Sequence, residues 1–130
     1  MKAKKILKLA DFIAKLKPRK LDMGTVCETR GSEKMDYHKC NSAACAMGWT
    51  PAVFPREVRW GGNFKHDEGN IVTRGRVGEY DYDAVIKLFD ISYSDARVLF
   101  GSGSNNYHTP KQVSKGLREY AKTGIVPDWI

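Results

Sequence analysis

Apolar and polar positions follow a helical repeat over the first sixteen residues. On a repeat of about 3.6 residues, Ile6, Leu9, Ala10, Ile13 and Leu16 share one face, with Leu7 and Ala14 at its edge. Lys4, Lys8, Asp11 and Lys15 stand opposite. The pattern predicts an amphipathic helix from about Ala3 to Leu16, ended by Pro18, which cannot continue the hydrogen-bond ladder. Leu21–Met35 is polar and mixed around Gly24 and Gly31, a loop or irregular strand. The pattern then changes. Ala43–Trp49 is apolar on every side and comes after Asn41 and Ser42, two candidate N-caps, so it predicts a short, buried central helix. Pro51 and Pro55 should break the chain after it.

Further on, Glu57–Trp60 and Ile71–Arg74 are short β-prone runs around Gly61, Gly62 and Gly69, which predict a hairpin with a long loop. At about Asp81–Phe89 the residues Tyr82, Val85, Ile86 and Phe89 fall on one helical face, and Asp81 and Asp83 favour that helix's N-terminus. Ser92–Asp95 has capping-box spacing and opens a helix that should stop at Gly101, before a polar loop to Tyr107. Thr109-Pro110-Lys111-Gln112 combines a cap, a first-turn proline and a glutamine three residues after the cap. The helix it starts places Val113, Leu117, Tyr120 and Ala121 on or near one side and ends before Gly124. The whole reads as a mainly α chain (α+β), a single domain over residues 1–130 with about four to five helices and a small β-hairpin.

Composition agrees with that picture. Of 130 residues, 42% are hydrophobic and 28% charged, enough apolar material for one core and too little polarity for wholesale disorder. No apolar run approaches the roughly 18–20 residues of a membrane span, and residues 1–20 are too charged for a secretory signal. The net charge of +7 is unevenly distributed. Eight basic residues (Lys2, Lys4, Lys5, Lys8, Lys15, Lys17, Arg19 and Lys20) against Asp11 give the first twenty residues the entire +7, while the remaining 14 Lys/Arg and 14 Asp/Glu cancel. The N-terminal helix is therefore either a core helix with solvated lysines or an electrostatic footprint for phosphates or an anionic partner.

Chemistry concentrates around the cysteines. Cys27, His38, Cys40 and Cys45 have the count of a three-thiolate, one-imidazole zinc site, although no Cys-x2-Cys knuckle exists. Cys40 before the predicted helix could instead act as a nucleophile, with His38 or His108 as base and Asn105 or Asp128 orienting it. The favoured reading is structural: Cys45 among Ala, Met and Trp behaves as a small core hydrophobe, and no cofactor is expected. An odd cysteine count without a signal peptide fits a reducing compartment. The run Gly101–Asn106 offers backbone donors but comes after no strand, so it is no dinucleotide fingerprint. Arg56, Arg59, Trp60, Lys65, Arg74 and Arg76 interleave cations with an aromatic near the hairpin, a surface able to stack a base and grip phosphate. Asp67, Glu68 and Glu79 dilute that field.

The block His38-x-Cys40-Asn41-Ser42-x-Ala44-Cys45-Ala46-x-Gly48-Trp49-x-Pro51, with Leu99-Phe100-Gly101 later, resembles small proteins of tailed bacteriophages and prophages. Members of that group often carry Cys-Gly-Thr followed by Ala-Cys-Ala and Gly-Trp; Asn41 and Ser42 stand here where Gly and Thr are usual. The resemblance implies a setting rather than a reaction: a small, non-enzymatic phage accessory protein in the bacterial cytoplasm, binding and blocking a host-defence factor. The partner expected from it is a host protein, a protein–nucleic-acid complex or a phosphate-bearing ligand such as a nucleotide, and not a membrane. Lys4, Lys8, Lys15, Arg59, Trp60, Arg74 and Arg76 are the candidate binding residues, with Tyr107 and Trp129 as further contact aromatics. A small nucleic-acid-binding regulator and a Cys40-centred hydrolase are the alternatives.

Overall fold

The structure is a computed structural model that describes residues 1–21, 28–29, 42–43, 46–60, 71–75, 79, 81–100 and 109–127. Helix α1 spans Ala3–Ala14, and a single 3₁₀ turn covers Pro18–Lys20. Strands β1 (Glu28–Thr29) and β2 (Ser42–Ala43) pair antiparallel. A short α2 (Thr50–Val53) leads to β3 (Val58–Trp60), which pairs antiparallel with β4 (Ile71–Thr73). Three helices complete the order: α3 (Tyr82–Phe89), α4 (Tyr93–Phe100) and α5 (Pro110–Thr123). The fold is mainly α with a small hairpin, as the periodicity predicts.

The core is the apolar face of α1 laid along α5. Ile6, Leu9, Ala10 and Ile13 are fully buried against Val113, Leu117 and Tyr120. Burying each such side chain stabilises by about 1.5–3 kcal/mol, and the same core continues through α2, the β3–β4 hairpin, α3 and α4. The polar contacts between α1 and α5 are satisfied. The buried Ser114 hydroxyl donates to the Ala10 carbonyl at 2.8 Å, and Arg118 pairs with Asp11 at the rim, also at 2.8 Å. The start of α5 forms by the predicted capping box: Gln112 N–H donates to Thr109 Oγ1, and Thr109 N–H donates to Gln112 Oε1. Gly124 ends the helix in the left-handed region, at φ 73°.

The apolar run before Pro51 is not the predicted helix. Ser42 and Ala43 are extended in β2 and residues 46–49 form turns, while Asn41, Ala44 and Cys45 lie outside the described residues. Helix α2 begins only at Thr50, with Pro51 in its first turn, where a missing N–H costs nothing. The predicted burial is present: Ala46, Met47 and Trp49 are buried, Trp49 packs on Phe12, and its indole N–H donates to the Lys20 carbonyl at 2.8 Å. An all-apolar run signals burial without a period, so it does not distinguish a helix from a buried turn.

After β4 the chain doubles back at Gly75, at φ 74°. Thr73 N–H donates to the Glu79 carbonyl, and Asp81 N–H to the Ile71 carbonyl. Asp81 does not cap α3. Its Oδ1 accepts from Ile71 N–H at 3.1 Å, and burial pushes its carboxyl above the usual carboxylate range although that bond opposes the shift. The residue holds a non-glycine φ of 49°, a strained conformation kept by the two bonds to Ile71. That pin sets the register of α3. Its buried positions are Ala84, Val85, Leu88 and Phe89, a face rotated from the predicted one, with Tyr82 and Ile86 only half-buried.

Asp90, at φ 53°, turns the chain from α3 into α4, where Phe89 stacks on Phe100 at 5.8 Å between ring centroids. Only one half of the predicted capping box opens α4. Ser92 Oγ accepts from Asp95 N–H, while Asp95 Oδ2 accepts from the Tyr120 hydroxyl at 2.6 Å. Burial, with the Asp95 carboxylate beside it, holds the Tyr120 hydroxyl firmly protonated. Among the described residues no helix is long and apolar enough to cross a membrane.

Candidate functional site: a cationic cavity

Lys2 N–H donates to the Phe89 carbonyl at 2.8 Å, which ties the start of α1 to the end of α3. Arg74 N–H donates to the Glu57 carbonyl, extending the hairpin ladder one pair beyond Val58 and Thr73. These two ties bring four separate segments around one cavity of about 280 Å³. Lys2 and Lys5 come from the residue before α1 and from its first turn, Arg56, Glu57 and Val58 from the entry into β3, Thr73 and Arg74 from the end of β4, and Ala84, Lys87 and Leu88 from α3.

Charge is strongly one-sided there. Among the described residues, the lining holds five cationic side chains and a single carboxylate, Glu57. Lys5 Nζ pairs with Glu57 Oε2, and Arg74 Nε donates to the Pro55 carbonyl. Lys2, Arg56 and Lys87 form no ion pair among the described residues, and all three are exposed. The buried Val58, Ala84 and Leu88 supply an apolar wall. Thr73 Oγ1 is shielded from solvent and has no hydrogen-bond partner among the described residues. An unpartnered buried hydroxyl costs about 1–3 kcal/mol, which a fold leaves standing only where something offsets it.

Of the residues singled out from the sequence, Arg74 lines the cavity and Arg56 joins it, whereas Lys4, Lys8 and Lys15 do not. Lys4 and Lys15 are exposed on the outside of α1, and Lys8 sits over the Phe54 ring at 5.5 Å. Arg59 is half-buried on β3 opposite Val72. The side chain of Trp60, and the residues Lys65, Arg76, Tyr107 and Trp129, lie outside the described residues, as do Cys27, His38, Cys40, Cys45 and His108. Among the described residues no group of three His, Cys, Asp or Glu could hold a metal ion.

Lys87 and Thr73 are the members of the site that the sequence does not mark. A lone lysine on an amphipathic helix and a threonine in a strand carry no local signal; only the register of α3 and the turn at Gly75 bring them together. No family model, curated protein or solved structure matches the chain.

Proposed function

We propose that this is a non-enzymatic binding protein whose ligand bears phosphate and is held by the cations around the α1–hairpin–α3 cavity. One observation carries the reading: among the described residues, five cations against one carboxylate converge on a single cavity, and only Lys5 of the five has an ion-pair partner. Clustered like charges repel one another, and an anion arriving among them turns that repulsion into charge-assisted hydrogen bonds. The net charge of +7, all of it carried by the first twenty residues, adds a long-range field that attracts anions to the molecule. The resemblance of the Cys40–Pro51 block to phage proteins supports an accessory, counter-defence setting for this binding.

The test is fluorescence anisotropy with a short single-stranded oligonucleotide, phosphorylated at its 5′ end and labelled at its 3′ end, titrated over a series of salt concentrations. Binding that weakens log-linearly with salt is expected. It should be lost in the double variant Arg56→Glu/Lys87→Glu, whose melting should match that of the wild type. Absence of binding at low salt would contradict the proposal.

A further inference from the structure

We infer that the cavity recognises a terminal phosphate monoester, the dianionic end of a nucleotide or of a nucleic-acid strand, in preference to the internal phosphodiesters of a chain. The inference rests on the phosphate-binding reading above and specifies its ligand.

Its shape is the first reason. A phosphodiester track is served by cations strung along a groove, whereas Lys2, Lys5, Arg56, Arg74 and Lys87 come from four segments and surround one volume. At about 280 Å³ the cavity lies at the lower edge of pockets that take whole small molecules, roughly 300–1,000 Å³, so it suits one phosphate headgroup and part of the sugar attached to it. Val58, Ala84 and Leu88 give that sugar an apolar wall.

Charge and donor count are the second reason. A monoester carries close to two negative charges at neutral pH and presents three acceptor oxygens, where a diester carries one charge and two free oxygens. Lys2, Arg56 and Lys87 provide donors with no ion-pair partner among the described residues. Thr73 lines the cavity and adds a hydroxyl that has no hydrogen-bond partner among the described residues.

Glu57 then sets a threshold. Its carboxylate holds Lys5, and the two side chains retain 43% and 29% of their exposure, so solvent screens the pair and an incoming dianion can displace it. A singly charged diester competes less well for Lys5. Glu57 therefore moderates anion binding, and the preference for the monoester comes from the cations around it.

The experiment compares two oligonucleotides identical except for a 5′ phosphate or a 5′ hydroxyl, each labelled at the 3′ end. The phosphorylated strand is expected to bind about tenfold tighter, and Arg56→Glu/Lys87→Glu should erase the difference. Glu57→Gln frees Lys5 and removes a carboxylate that repels a dianion more than a monoanion, so it should widen the preference by tightening the 5′-phosphate strand more than the 5′-hydroxyl strand. Thr73→Val should weaken only the phosphorylated strand while the melting temperature holds or rises, a pattern that a purely structural threonine would not give. Displacement by adenosine monophosphate would show that a free nucleotide suffices; tight binding of the phosphorylated strand without such displacement would assign the strand end. Both outcomes support a monoester site. Equal binding of the two strands would overturn this inference and leave phosphate binding standing, whereas binding of neither would overturn both.

Discussion

The α1–α5 seam and the cationic cavity share one helix and are built in opposite ways. Along the seam, every element of α1 that faces α5 finds a partner: apolar side chains interlock, the Ser114 hydroxyl has the Ala10 carbonyl, and Arg118 has Asp11. Around the cavity, the start of the same helix delivers Lys2 and Lys5 to a place where, among the described residues, cations outnumber acids and a threonine hydroxyl has no partner. The difference teaches where to look for function in such a chain. Stability is concentrated where contacts are complete, and binding capacity where they are left open.

Substitutions on the two sides should separate these roles. The largest effect belongs to the seam. Leu9→Ala or Leu117→Ala removes a fully buried side chain and should cost about 2–5 kcal/mol in urea unfolding, with no change in ligand preference beyond the unfolded fraction. Tyr120→Phe deletes the hydrogen bond to the Asp95 carboxylate and should cost about 1.5–3 kcal/mol, again with binding intact. Ser114→Ala should cost about 0.5–1.5 kcal/mol by the same measurement. Arg56→Glu/Lys87→Glu is the mirror image: exposed residues with no ion pair to lose, so stability should stay within about 0.5 kcal/mol while anion binding disappears.

The smallest effect is at Asp81, at the start of α3. Burial raises its carboxyl in the folded protein above the unfolded value of 3.8, so the folded state binds the proton more tightly than the unfolded one. The stability this linkage contributes is present in acid and is lost as pH rises from 3.8 through the raised value. Asp81→Asn keeps an acceptor for Ile71 N–H and tolerates the positive φ. It should therefore gain about 0.5 kcal/mol or less at neutral pH, an advantage that shrinks as melts are repeated towards pH 4.

Much of the seam is legible from residue order alone. The repeat of Ile6, Leu9, Ala10 and Ile13, the Thr109–Gln112 box and Gly124 are local signals whose meaning does not depend on distant residues. The Ala43–Trp49 run misleads because it is apolar on all sides and Pro51 resembles a breaker, although a first-turn proline is compatible with the helix it opens. The face of α3 is displaced from the predicted one because eight residues allow several apolar stripes, and the choice among them falls to Asp81 binding Ile71. The candidate site is legible only in part. Charge at the N-terminus and at Arg56 and Arg74 is visible in the sequence, but convergence with Lys87 and Thr73 is a product of tertiary register.

The most direct test sets the cavity cations against the outer lysines of α1. The double variant Arg56→Glu/Lys87→Glu and the triple variant Lys4→Glu/Lys8→Glu/Lys15→Glu are titrated with the same 5′-phosphorylated strand at the same ionic strength. The triple variant removes more net charge, so a protein that binds phosphate through its general field would suffer more from it. Loss of binding in the double variant, with only a reduced association rate in the triple, is the expected result. Retained affinity in the double variant, with loss in the triple, would contradict the cavity as the site and return the function to the outer face of α1.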